Sequence, residues 1–263
     1  MLRHPSPMIR AVLLDLSGVV YDGDAAIPGA IEAIRRLHGE GLAIRFVSNT
    51  TRSPRAAIIR QLAALGIEVG DDELLTPARA AVEWLAREGC APHLLVHPDL
   101  VPEFAGHTFG ERKAVVVGDA AEAFTYATMN AAFRQLIEGA EFLALAVNRT
   151  FKDADGGLSL DAGAFVAALE FAAGKQATVL GKPSRDFFHA ALAGLDCLPG
   201  QAVMVGDDAE SDVAGALKAG IGSALLVRTG KYRAGDESRH APHPSAVVDD
   251  LAAAVEWILC RRG

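Results

Sequence analysis

The chain has 263 residues but only three cysteines, Cys90, Cys197 and Cys260, far apart and in no C-x-x-C pair. An odd, scattered set excludes a disulfide framework and reads as reduced thiols in a cytoplasmic protein. Positive charge is also scarce. Lys and Arg total 25 against 33 Asp and Glu, the formal net charge is −8, and no basic cluster interrupts the chain. That balance argues against a nucleic-acid partner. No apolar run approaches the ~18 residues of a membrane span, and MLRHPSPMIR at the start has no apolar stretch before a cleavage site. Neither a membrane partner nor a signal peptide is therefore expected. Nucleotide signatures are missing as well. No G-x-G-x-x-G follows a strand-like run, and GKQATVLGK (174–182) has the wrong glycine–lysine spacing for a phosphate-binding loop.

Half of the residues are apolar, enough for one large domain or two ordinary ones with a sizeable core. Strand-like runs fall at Ala11–Leu14, Ala43–Val47, Leu94–Val96, Ala114–Val117, Phe142–Val147, Ala202–Val205 and Ala224–Val227. Helical patterns lie between them. Pro28 is placed to open one helix, Ser53–Pro54 a second that Gly66 stops, and Thr76–Pro77 a third; Ser184 is placed to cap a fourth. The alternation predicts an α/β protein with a mostly parallel sheet and right-handed crossovers. Residues 228–246 are the most loop-like part of the chain.

Four polar sites punctuate this scaffold: DLSG at 15–18, VSNTT at 47–51, GKP at 181–183 and VGDDAESD at 205–212. Asp15, Ser48 and Asp207 each follow directly on a strand-like run. In a parallel sheet that puts them at the carboxyl edge, where open α/β sheets bind ligands. Singly, each has an ordinary reading: Asp207 and Asp208 as caps of a helix over 209–219, Lys182 as a solvated loop lysine, Ser48 and Asn49 as turn residues. Together, in this order, they describe phosphoryl chemistry. Asp15 projects from a strand end into a turn that Gly18 permits, and can attack phosphorus to give an aspartyl-phosphate. A carboxylate meeting a phosphate is repelled by about 4 kcal/mol per charge pair at roughly 4 Å and moderate dielectric, so a cation has to offset it. Asp15 and Asp207 can share Mg²⁺, which takes one or two carboxylates and bridges phosphate oxygens. Asp212, about one helical turn on, or its rival Asp208, can orient the metal's waters. Lys182 adds a fixed positive charge, and Ser48 and Asn49 can donate hydrogen bonds to phosphoryl oxygens.

These motifs resemble the haloacid dehalogenase (HAD) superfamily of phosphotransferases, with Asp15 matching its nucleophile, Ser48 its second motif, Lys182 its third, and Asp207 with Asp212 its fourth. VVVGDAAEAFTYATMNAAFRQLIEG and DGGLSLDAGAFVAALEFAAG resemble the C2-type cap of the NagD-like subfamily. DLSGVVYD, IRFVSNTT, GKPSRDFFHAAL, AVMVGDDAESDVAGA and VRTGKYR are similar to the branch of phospholysine phosphohistidine inorganic pyrophosphate phosphatases. The resemblance implies a Rossmann-like core from residues 1–78 and 179–263, with helices on both sheet faces, and an inserted α/β cap over 79–178. It implies Mg²⁺ held by Asp15, Asp207 and the backbone carbonyl of Ser17, with Asp208 and Asp212 in support. Ser17, Gly18, Ser48, Asn49 and Lys182 would bind the phosphate of a small substrate or an exposed phosphorylated side chain. Two alternatives stand beside this reading: a phosphatase of small sugar or nucleotide monophosphates, and a catalytically silent phospho-ligand binder. Tyr126 and Met129 are candidates for a cap–core or subunit contact, with a homodimer through the cap as one expectation. Arg149 and Lys152 are candidates to reach substrate from the cap.

Ser17 departs from most of the superfamily, where an aspartate two residues after the nucleophile protonates the leaving group. Such help is worth ~10²–10⁴ in rate, or roughly 3–5 kcal/mol. An alkyl phosphate would suffer badly from its loss. A phosphoramidate nitrogen can carry its own proton, and pyrophosphate leaves as a stable phosphate, so both ask less of the enzyme. Turnover of phosphoramidate and pyrophosphate is expected to exceed that of a simple alkyl phosphate, and Ser17→Asp to raise alkyl-ester turnover; alkyl-ester turnover already equal in the parent protein would refute this.

Overall fold

The computed structural model describes residues 8–70, 72–152 and 157–262. Along the chain come β1 (Ala11–Asp15), β2 (Tyr21–Asp22), β3 (Ala25–Ala26), α1 (Ala30–Gly39), β4 (Ala43–Val47), α2 (Arg55–Ala64), β5 (Leu74–Leu75), α3 (Pro77–Glu88), β6 (Cys90–Leu95) and β7 (Arg112–Val117). Then follow α4 (Tyr126–Ile137), β8 (Glu141–Ala144), β9 (Thr150–Lys152), β10 (Leu158–Leu160), α5 (Ala162–Ala173) and β11 (Thr178–Val179). The chain ends with α6 (Arg185–Leu192), β12 (Ala202–Gly206), α7 (Gly215–Lys218), β13 (Ser223–Val227), β14 (Ala246–Val248) and α8 (Leu251–Leu259). Each strand-like run of the sequence lies on or overlaps one of these strands. The short β5, β11 and β14 carry too few residues to show a period. β14 also gives order to the end of the segment read as loop.

The chain divides into two compact units. The first comprises the described parts of Met1–Ser48, Ile59–Leu75 and Lys182–Gly263. Its six strands run in the order β14-β13-β12-β1-β4-β5, all pairs parallel. Val12, Leu13, Leu14, Phe46, Val203, Val205, Leu225 and Leu226 are fully or almost fully buried. Such unbroken apolar runs are what a parallel sheet covered on both faces requires.

The second unit comprises Asn49–Ile58 and the described parts of Thr76–Gly181. Its sheet, order β11-β8-β7-β6, is also wholly parallel. Alternate residues of β7 serve opposite cores. Ala114 and Val116 pack with Ala81, Val82 and Leu85 of α3, whereas Val115 and Val117 pack with Ala132 and Leu136 of α4 and Val166 and Leu169 of α5. Met129, a candidate contact residue in the sequence, packs against this second core, because its position on α4 turns it toward the sheet. Among the described residues no helix is long and apolar enough to cross a membrane.

Two helix starts differ from expectation and a third matches it. Pro28 does not open α1; with Gly29 (φ 79°, ψ −8°) it forms a type II turn closed by Ala30 N–H to Ile27 O at 3.0 Å, and glycine supplies the positive φ that turn demands. Ser184 occupies the position before α6, yet its side chain makes no capping bond. Thr76 caps as expected: its hydroxyl accepts the Arg79 N–H at 3.3 Å, with Pro77 in the first helical position. Thr76→Ala is therefore expected to lower unfolding free energy by about 1 kcal/mol, while Thr76→Ser keeps the bond and most of the stability; chemical denaturation of the two variants separates these outcomes.

Candidate active site

β1 lies between β12 and β4, and the register sets its end against theirs. Asp15 pairs with Val47, and Leu14 with Val205. Ser48 is one residue beyond Val47 and Asp207 two beyond Val205, so three strand ends bring Asp15, Ser48 and Asp207 to one edge. A buried strand can end on a charge there because the backbone leaves the apolar layers at that point. Past Asp15 the chain turns sharply. Gly18, at φ +80°, donates its N–H to Tyr21 O at 2.7 Å, and Val20 N–H reaches Leu16 O at 2.8 Å. Ser17 sits on the exposed side of this turn.

Lys182 is the electrostatic centre. It is 2 % exposed, and its Nζ lies 2.6 Å from Asp15 Oδ1 and 2.7 Å from Asp212 Oδ1. Burial works against the ammonium, but the two carboxylates outweigh it and hold the pKa above the usual lysine value. Asp212, the residue expected to orient a metal's waters, lies within this cluster, and its other oxygen accepts the Asp208 N–H at 3.1 Å. One carboxylate oxygen each from Asp15, Asp207 and Asp212 lies within 4.8 Å of the others. Burial, then Asp15, pushes the Asp207 carboxyl up to about 6. Burial and the surrounding acids Asp15, Asp208 and Asp207 likewise raise Asp212, against the pull of Lys182.

The setting of Asp207 was not legible in the sequence. Its Oδ2 accepts the Lys231 N–H at 2.7 Å. Gly18 and Gly230 close on the same oxygen: a Cβ on either would come within 2.1 Å of it. Thr229 donates its hydroxyl to the Gly18 carbonyl, tying the loop after β13 to the turn after β1. Thr229, Gly230 and Lys231 thus belong to the site. Their signal was position: they follow the strand-like run Ala224–Val227 and so mark another strand end on the same edge. Asp208 turns to its own helix, its Oδ1 accepting the Glu210 and Ser211 N–H groups at 3.0 Å each. The ordinary capping reading therefore holds for Asp208 and not for Asp207. The following turn, Ala209–Ala214, is a wide π-helical one rather than the start of a regular helix, a feature common at functional sites.

Ser48 is buried, its N–H bonded to Leu75 O at 3.1 Å. Asn49 belongs to the second unit. There its Oδ1 lies so near Gly181 that a Cβ on that glycine would approach to 2.7 Å. The segment that contains Asn49 is held by Arg52, which pairs with buried Asp119 and stands 4.5 Å over the Phe151 ring. The Asp119 N–H donates to Thr51 Oγ1 at 3.3 Å. The sequence reading kept residues 49–58 with the first unit because these tertiary contacts leave no local trace. Arg149 is exposed; the Lys152 side chain lies outside the described residues.

The donor set fits a hard divalent cation. It offers only oxygen ligands, and Asp207 Oδ1 is buried with no hydrogen-bond partner among the described residues, a costly state unless something charged meets it. Four carboxylates (Asp15, Asp207, Asp208, Asp212) against two ammoniums (Lys182, Lys231) leave two formal negative charges over. Burial first, and the neighbouring acids after it, raise the Asp207 and Asp212 carboxyls, whereas Asp208 is lowered by the backbone N–H groups it accepts.

Residues 12–127 match the family model of haloacid dehalogenase-like hydrolases, and residues 179–254 the HAD-hydrolase-like model. Among curated proteins, the phospholysine phosphohistidine inorganic pyrophosphate phosphatase of Danio rerio is 44 % identical over 97 % of this chain and 96 % of its own. The haloacid dehalogenase-like hydrolase domain-containing protein 2 of Homo sapiens is 44 % identical over 95 % of this chain and 96 % of its own. Among solved structures, the glycerol phosphate phosphatase of Mycobacterium tuberculosis in complex with magnesium superposes with a TM-score of 0.80 at 26 % identity, covering 96 % of this chain and 78 % of that one.

A pH dependence follows from Asp207. A carboxyl whose pKa is about 6 when folded, against about 4 unfolded, gives the folded state more bound protons between those values. In metal-free protein its contribution to stability therefore falls as pH rises through that window. A divalent cation needs the ionised form, so the rise in Tm on adding MgCl₂ is expected to grow from pH 5 to pH 7 and to shrink in Asp207→Asn. A Tm rise independent of pH would contradict this.

Proposed function

The chain belongs to the haloacid dehalogenase-like hydrolase family, as an enzyme of its phosphatase class, and from this we propose that it transfers phosphoryl groups from P–N bonds and from pyrophosphate to Asp15 and then to water. The observation that carries the reading is the buried cluster of Asp15, Lys182, Asp207 and Asp212, drawn from four distant segments of sequence. In the first step an Asp15 oxygen bonds to phosphorus while the bond to the leaving nitrogen or bridging oxygen breaks. A phosphoramidate nitrogen departs with the proton it already carries; from pyrophosphate the second phosphate departs as the ion. Lys182, held 2.6 Å from Asp15 Oδ1, offsets charge on the phosphoryl oxygens. Ser17, Gly18, Ser48 and Asn49 are the proposed phosphate-binding residues. Water then attacks the phosphorus of the aspartyl-phosphate, the bond to Asp15 breaks, and phosphate is released. Mg²⁺, which the donor set fits, would be held by Asp15, Asp207 and the Ser17 carbonyl, with Asp212 alongside, and supplies Lewis-acid neutralisation of phosphoryl charge.

The P–N and pyrophosphate classes are supported by Ser17 in place of a general acid and by the name of the Danio rerio relative. Small phosphomonoesters are the second reading, favoured by the magnesium-bound glycerol phosphate phosphatase. A cytoplasmic location is part of the proposal, supported by three unpaired cysteines. So is a homodimer through the inserted unit, supported by Tyr126 on α4 and Phe171 on α5, 85 % and 92 % exposed.

Phosphate release from pyrophosphate and phosphoimidazole is expected to require Mg²⁺, and Asp15→Asn to reduce it about a thousandfold or more. A variant that keeps its activity would remove Asp15 from the chemistry.

A further inference from the structure

We propose that Lys231 is a specificity-determining residue that meets the anionic leaving portion of a diphosphate-type substrate at the rim of the site, an inference that rests on the phosphohydrolase reading above. The two lysines near the carboxylates are placed very differently. Lys182 is 2 % exposed and engaged between Asp15 and Asp212. The Lys231 side chain is 67 % exposed, and its Nζ lies 3.7 Å from Asp208 Oδ2, beyond hydrogen-bond length. Its backbone is nonetheless fixed, because the N–H donates to Asp207 Oδ2 at 2.7 Å and Gly230 packs against that oxygen. An exposed cationic head is thus carried on an anchored stem beside the site. The acids that act on its charge are, in order, Asp208, Asp207, Asp212 and Asp15.

This geometry separates substrates by the charge of the part that leaves. The phosphoryl group transferred to Asp15 sits at the buried end, and the remainder points outward. In pyrophosphate the remainder is a second phosphate, an anion that a rim ammonium can pair with. In phosphoimidazole it is a neutral ring that gains nothing from Lys231. Lys231 acts on the leaving portion without touching the attacking atom, so its effect shows as a ratio between substrates.

The test compares kcat/KM for pyrophosphate and phosphoimidazole, with Mg²⁺ present, in the wild type, Lys231→Met and Lys231→Arg. The pyrophosphate-to-phosphoimidazole ratio is expected to fall at least tenfold in Lys231→Met and to recover largely in Lys231→Arg. An unchanged ratio, including an equal fall for both substrates, would mean that Lys231 only supports Asp207, and overturns the proposal. A binding measurement keeps the two readings separable should the wild type hydrolyse neither substrate. Methylenediphosphonate, which has no cleavable bridge, is expected to bind Lys231→Met at least tenfold more weakly than wild type, with orthophosphate affinity moving much less. Equal weakening for both ligands, or none, rejects the role of Lys231 whatever the enzyme's activity.

Discussion

One buried ammonium organises this protein. Lys182 sits between Asp15 and Asp212 with almost no solvent contact, and removing one partner of such a buried pair typically costs about 3–5 kcal/mol. Its neighbours are therefore bound to it energetically as well as geometrically. Asp15 ends the central strand of the first sheet, and Asp212 lies in the wide turn after the adjacent strand. The segment that carries Lys182 returns from the inserted unit. A displacement of any of them leaves an unpaired charge in the interior.

The lysine does not balance the site. Asp207 is packed between two glycines and a backbone N–H, with one oxygen satisfied and the other buried and unmet. The fold keeps these carboxylates close and buried, and burial first, then their mutual repulsion, raises the pKa values of Asp207 and Asp212. Sites built in this way store a demand for positive charge that a divalent cation and a phosphoryl-transfer reaction can use. The loop Thr229–Lys231 positions Asp207 through its backbone and partly offsets that demand. Its glycine permits the approach, and its N–H fixes which Asp207 oxygen stays available.

The alternation of apolar runs and capped helices was enough to read an α/β chain with parallel sheets, because strands buried on both faces must be continuously apolar and a helix between successive strands provides the crossover that parallel pairing needs. The strand ends at Asp15, Ser48 and Asp207 were legible for the same reason: a charge or hydroxyl directly after an apolar run has nowhere to lie except the sheet edge. Local pattern failed where the partner was remote. Asp208 and Asp207 are adjacent and chemically identical, and only the direction of the helix N–H groups assigns one to capping and the other to the cluster. The π-helical turn after them breaks the spacing from which a position for Asp212 could be reckoned.

What the sequence determined by itself was the longer strands and helices, the family to which they belong, and a set of candidate residues for the chemistry, since periodicity, turn chemistry and side-chain type are local properties. Only the tertiary structure decided that Asp212 pairs with Lys182, that residues 49–58 join the inserted unit through Arg52 and Asp119, and that Gly230 and Lys231 close on Asp207. Each of these is a contact between segments far apart along the chain, set by register and packing, and no local signal encodes it.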